Sequence, residues 1–340
     1  MPIVQLPANV VAPSSAWVNV TSNLVNLDSE CGNLTLVSAD PWSPRIIAGV
    51  AARGLYSSDN AGTSWQALGT GTGSATIGHR PSNIIYDVDD QNRFWEAGIY
   101  GGGSPGTFVT TNRGSTFTAL GSISHNDMIS VDMHDPQRRT LLAGGHEQFQ
   151  TVHRSTNGGT SWTNIGATLP ANSNHSSNVL VLDSDSYLVG ACSGWAPGTC
   201  GVWRTHDSGA TWTLSASEVR PGAPPLWHSS GAIYWPEGWG GRLWVSTDLG
   251  VTWELAANSV DSPVELPDGR MLGLRNGGIV VSSNGRTWTS VGQPLPFASG
   301  GITNGITYSA WTKTVYAWNW DCGNSVRSYA IARAGFDYQQ

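Results

Sequence analysis

An eight-residue pattern, Ser/Thr-x-Asp/Asn-x-Gly-x-Ser/Thr-Trp/Phe, recurs along the chain and constrains its fold more than any other feature. The copies are Ser58-x-Asn60-x-Gly62-x-Ser64-Trp65, Thr110-x-Asn112-x-Gly114-x-Thr116-Phe117 and Ser155-x-Asn157-x-Gly159-x-Ser161-Trp162. Thr205-x-Asp207-x-Gly209-x-Thr211-Trp212, Ser246-x-Asp248-x-Gly250-x-Thr252-Trp253 and a shortened Ser282-Ser283-Asn284-Gly285-Arg286-Thr287-Trp288 follow. An Asp or Asn side chain caps its own turn, and Gly takes the positive-φ position. Ser or Thr ties the turn to its strand, and Trp fills the space between neighbouring units. The pattern is therefore a hairpin-stabilising device and not a catalytic site.

The composition agrees with many short strands joined by turns: 42 Gly, 17 Trp and only 12% charged residues. Apolar residues at helical spacing are lacking, so almost no helix is expected. The repeat resembles the Asp-box (BNR) repeat of sialidase-like β-propellers, over nearly the whole chain. That resemblance implies an all-β fold, a propeller of four-stranded antiparallel blades occupying residues 1–340 as one domain. Six boxes give seven blades if the ends join. Strand-like segments Gly305–Ala310, Thr314–Trp318 and Arg327–Ala332 follow the last box, and Ser15-Ala16-Trp17-Val18-Asn19-Val20 matches Ser161-Trp162-Thr163-Asn164-Ile165. The first strand would then complete the last blade, with Cys31–Cys322 locking the seam and no sheet edge exposed. A six-bladed ring is the alternative.

The formal net charge of -7 argues against a nucleic-acid partner, which needs a basic stripe to neutralise phosphates. No stretch approaches the roughly 20 apolar residues of a membrane span. Met1-Pro2-Ile3-Val4 lacks the pattern of a signal peptide. The even cysteine count, with Cys192 and Cys200 flanking a Gly/Pro loop, reads as two disulfides and a secreted, extracellular or periplasmic protein. Sequons at Asn19, Asn33 and Asn174 are compatible with secretion. A monomer is expected.

With strands a to d running outward from the axis, the d–a and b–c loops share one face, and the a–b and c–d turns, including the boxes, share the other. Function in propellers sits where long loops converge near the axis. Aligning the blades by their boxes places His79, His125 and His175 at one equivalent position, just before strand a of blades 2, 3 and 4, at the channel mouth. Glu30 takes that place in blade 1, and His146-Glu147 enters from the b–c loop of blade 3. Duplication of a histidine that merely ties loop backbone is the alternative. Against it, the flanking residues diverge and blades 5 and 6 lack the histidine. His134, His153, His206 and His228 fall in an a–b turn, a strand c, a box and the end of a strand a.

Several tryptophans lie outside the boxes. Trp195 stands in the Cys192–Cys200 loop, Trp239 in the b–c loop of blade 5, and Trp320 in that of blade 7. Aromatic rings on a rim stack on the C–H face of sugars. Arg53, Arg275, Asp321 and Glu237 sit in or near b–c loops and would serve a uronate or other acidic group, a bidentate Arg being the usual carboxylate clamp.

These features point to a carbohydrate-active enzyme. In a polysaccharide lyase, a neutral His or Tyr takes the proton beside a uronate carboxylate while Arg or a metal stabilises the enolate. His79, His125, His175, His146 and Glu147 would act directly, or His79, His125 and His175 would hold a divalent metal ion. Propeller lyases such as oligogalacturonate lyase and ulvan lyase offer fold-level precedent for histidine-rich axial sites. A glycoside hydrolase needs a carboxylate pair, for which Glu30, Asp127 and Glu147 are available. An ordinary sialidase is excluded, because the Phe/Tyr-Arg-Ile-Pro motif is absent and Ser43-Pro44-Arg45-Ile46 does not replace it. A lectin would repeat its pocket in every blade, whereas these loops differ greatly. A protein-binding propeller without catalysis is the remaining alternative.

Overall fold

The computed structural model describes residues 16–25, 27, 34–101, 105–238, 241–297, 303–319 and 331–337. They form seven four-stranded antiparallel sheets set as blades around an axis, a seven-bladed β-propeller whose helical content is two short 3-10 turns. The inner strands a are Leu34–Ala39, Arg80–Tyr86, Asn126–Val131, Asn178–Val181, Leu226–Trp227, Asp261–Glu265 and Thr303–Ser309. The six-bladed alternative is excluded.

The ring closes as the sequence match predicts. Val18–Asn19 forms the outer strand of blade 7, with Val18 opposite Arg333 and Asn19 opposite Ala332. The Val20 N–H donates to the Ile331 carbonyl at 2.9 Å, and the Ile331 N–H to Thr21 Oγ1 at 3.0 Å. The described part of the third strand of this blade, Ile331–Gly335, runs past the expected end at Ala332, while 327–330 lie outside the described residues. Ile331 opposes Trp318 and Gly335 opposes Thr314, and Ile331 and Ala332 are buried. Cys31 and Cys322 lie outside the described residues.

Each box performs the expected local chemistry. The Ser or Thr hydroxyl accepts the box Gly N–H at 2.8–3.0 Å in all six copies. The Asn or Asp Oδ1 accepts the N–H of the following Ser or Thr at 2.8–3.0 Å. Trp65, Trp162, Trp212 and Trp253 donate their indole N–H back to Val20, Leu120, Thr168 and Ser215 of the preceding blade. Trp288 departs from this and donates to its own Gly285 carbonyl. The core is shared between blades in the same way: Phe94, Phe108 and Phe117 of blade 2 pack on Ile47 and Leu55 of blade 1.

Candidate functional site

The register that builds the blades brings five side chains together at the mouth between blades 2, 3 and 4. Tyr100 ends strand b of blade 2 (Phe94–Ile99), His125 and Asp127 flank the start of strand a of blade 3, and His146-Glu147 follows strand b of blade 3 (Leu141–Gly145). Asp127 Oδ1 lies 2.8 Å from His146 Nδ1, and His146 Nε2 lies 2.8 Å from the Tyr100 hydroxyl. The ionised carboxylate accepts only, so Nδ1 carries the proton and Nε2 accepts from the phenol. Carboxylate, imidazole and phenol thus form one line of proton transfer, the logic of an activated hydroxyl with a base and an orienting acid. Glu147 Oε1 sits 3.8 Å from the same Nε2.

His125 closes the cluster from the axial side. Its ring lies edge-on to Tyr100 and His146, with centroids 5.1 and 4.8 Å away. The Tyr100 N–H donates to His125 Nδ1 at 3.1 Å, which leaves Nε2–H as a donor in the neutral tautomer. Burial, and then the neighbouring His146 ring, holds the His125 pKa below its ordinary value against the pull of Asp127 and Glu147. His175 is likewise lowered, first by burial, and its Nδ1 lies 3.1 Å from Ser193 Oγ.

The backbone here is strained without the glycine that usually relieves it. Tyr100, His125 and Glu147 adopt φ of +57°, +65° and +51°. Each such residue costs on the order of 1–3 kcal/mol, and such outliers cluster at functional sites.

His79 does not join the cluster. Its ring is 1% exposed, with Nε2 2.7 Å from Glu96 Oε1 and Nδ1 3.0 Å from the Pro105 carbonyl. A Cβ on Gly98 would come within 2.1 Å of this ring, so the strand passes it only as glycine. Burial opposes the imidazolium, but the adjoining Glu96 carboxylate and the Pro105 carbonyl outweigh it and raise the His79 pKa. The expected trio of mouth histidines is therefore a pair, and the backbone-tying role is the one realised at His79. Among the described residues, no three His, Cys, Asp or Glu side chains gather as a metal site, His79, His125 and His175 included.

The other expected binding residues scatter. Trp195 stands 68% exposed in a loop closed by the Cys192–Cys200 disulfide. Arg53 is exposed in the b–c turn of blade 1. Arg275 donates to the Trp288 and Asn258 carbonyls and lines a cleft of about 570 Å³ with Asn276 and Arg286, at the boundary of blades 5 and 6 and away from the histidines. Glu237 is held by Arg242 and the Trp244 indole. Glu30, Trp239, Trp320 and Asp321 lie outside the described residues. The Asn174 sequon is closed, since its buried amide donates to the Ala196 and Pro197 carbonyls. Tyr100 escaped the sequence reading, its only signal being a tyrosine ahead of Gly101-Gly102-Gly103-Ser104-Pro105.

No protein-family model and no curated protein sequence matches the chain. Solved structures share its propeller fold. A glycoside hydrolase family 74 xyloglucanase from Xanthomonas campestris superposes with a TM-score of 0.59 at 18% identity, over 91% of this chain. The chain spans only 52% of that enzyme's length. A streptogramin B lyase gives 0.64 at 11% identity over 95% of this chain and 98% of its own. YCF48 bound to a D1 peptide gives 0.56 at 14% identity over 99% of both chains. The class these define is the β-propeller, by fold alone. Among the described residues no helix is long and apolar enough to cross a membrane.

Proposed function

We propose that this chain is a secreted, Asp-box-type propeller enzyme that acts on a polysaccharide or oligosaccharide, and that it is a lyase cleaving beside a uronate by β-elimination. The observation that carries the reading is the Asp127–His146–Tyr100 line, with 2.8 Å at each step. As the Tyr100 oxygen takes the proton from the carbon next to the uronate carboxylate, its own proton passes to His146 Nε2, and Asp127 stabilises the imidazolium. The electron pair left by the broken C–H bond forms the new double bond and expels the glycosidic oxygen, which takes up the abstracted proton from the Tyr100 hydroxyl, and His146 then returns its proton to the phenolate. His125 Nε2–H is a donor for the charge that develops on the carboxylate.

A hydrolase reading is weaker, because Asp127 is already engaged by His146 and does not stand as one of two free carboxylates across a bond. The Cys192–Cys200 disulfide supports an oxidising compartment. That both a xyloglucanase and a streptogramin B lyase use this fold supports catalysis only as analogy. YCF48 with its bound peptide favours protein recognition as the second reading.

Purified protein offered polygalacturonate, alginate and ulvan separates these readings. Ultraviolet absorbance of an unsaturated uronate product supports the lyase. New reducing ends without that absorbance make the protein a hydrolase, and neither product on any glycan overturns the enzyme reading.

A further inference from the structure

Nearly all of the described Trp, Tyr and Phe rings are buried or half-buried. Among the described residues, three are exposed: Tyr100 at 45%, Phe149 at 46% and Trp195 at 68%. Each lies in a b–c loop, and the three loops belong to consecutive blades. Tyr100 follows strand b of blade 2, Phe149 lies between Leu141–Gly145 and Val152–Ser155 of blade 3, and Trp195 between Tyr187–Ala191 and Gly201–Thr205 of blade 4. Inter-blade packing, the usual role of Trp and Phe here, does not account for rings turned to solvent.

Polar groups alternate with these rings. Tyr100 adjoins His125 and His146, and Phe149 lies edge-on to His175 with centroids 4.4 Å apart. His175 in turn reaches Ser193, two residues before Trp195. A contiguous apolar patch would suit a protein partner. Ring faces interleaved with hydrogen-bonding groups suit a pyranose chain, which offers C–H faces and a rim of hydroxyls to each sugar site. Packed sheets lie about 10 Å apart, so rings on three consecutive blades span roughly 20 Å, several sugar units.

We infer that Tyr100, Phe149 and Trp195 form an arc of binding subsites that holds an oligosaccharide across blades 2 to 4, its blade 2 end at the proton-transfer line and its blade 4 end reaching past His175. The inference rests on the proposed glycan substrate and extends it: the site is built for the interior of a long chain.

Affinity electrophoresis in gels containing polygalacturonate, alginate or ulvan tests it without requiring turnover. The wild type is expected to be retarded by one of them, and Phe149→Ala and Trp195→Ala each to weaken that retardation about 3- to 10-fold. Tyr100→Phe, which keeps the ring and loses the hydroxyl, is expected to bind as the wild type does while losing any turnover. That contrast separates the arc from the proton line: retained Tyr100→Phe activity sinks the lyase reading alone. Retardation unchanged in both Phe149→Ala and Trp195→Ala overturns the arc. So does a wild type that no polysaccharide retards but that captures displayed peptides through Phe149, since the arc would then be a protein-recognition surface.

Discussion

The two faces of the ring differ in their connections, uniform box turns on one and loops of unequal length on the other, and they treat strained backbone differently. On the box face the residue before the conserved Gly takes a left-handed conformation in turn after turn: Ala61, Arg113, Ser208 and Leu249 have φ between +56° and +61°. The same hydroxyl and carboxamide bonds compensate each copy. On the mouth face Tyr100, His125 and Glu147 are equally strained, but no repeated bond set accompanies them. What holds them is the cluster they form, with Tyr100 N–H on His125 Nδ1 and the His146 N–H on the His125 carbonyl. Left-handed backbone recurs on the mouth face too, at Ala52 and Asn276 in the b–c turns of blades 1 and 6, but only at Tyr100, His125 and Glu147 does it coincide with the cluster of titratable groups that makes the candidate site.

If the contrast holds, mouth substitutions change rate and leave stability, and box substitutions do the reverse. Asp127→Asn is expected to lower kcat about 10²- to 10⁴-fold, because His146 loses the partner that fixes its tautomer. Initial rates on the glycan that the wild type cleaves, with melting curves alongside, check this. Burial keeps the His125 and His175 rings neutral at lower pH, so their titrations, followed by NMR of the ring protons, are expected below the ordinary imidazole value of about 6.5.

His79 belongs to the scaffold despite its place near the mouth. His79→Ala leaves Glu96 buried without its partner and is expected to destabilise by roughly 3–5 kcal/mol in urea unfolding. Its native pKa is raised, so the stabilisation is full below the unfolded value of about 6.5 and declines as pH rises through the native one. A His79 ring that titrates by NMR below the ordinary imidazole value would contradict this.

The smallest effect is expected on the box face. Leu249 holds the position that Gly158 fills in blade 3. Leu249→Gly relieves roughly 1–2 kcal/mol of left-handed strain against about 0.5–1 kcal/mol of added chain entropy, a net gain of about 0.5 kcal/mol or slightly more with unchanged activity.

The scaffold was legible because its information is local. Each box contains within eight residues the hydroxyl, carboxamide and glycine that fold it, and the match of residues 15–20 to 161–165 disclosed the seam. The box register also placed His125, His146 and His175 on the correct loops. It could not separate His79 from them, because the outcome depends on Glu96, which faces His79 from the neighbouring strand. Tyr100 was hidden for the converse reason: no other blade repeats it, and its meaning lies in contacts with His125 and His146 from the next blade. Repetition disclosed the frame, and departures from repetition became readable only once strands were paired in space.

The central claim is that the unrepeated face carries proton chemistry at the Tyr100 hydroxyl. Formation of the unsaturated product from a uronate polysaccharide, followed by its ultraviolet absorbance in wild type and Tyr100→Phe, tests it most directly. The account predicts steady product from the wild type and a loss of at least about 10²-fold in the variant, with the same melting temperature. A Tyr100→Phe protein that forms the product at the wild-type rate would contradict it.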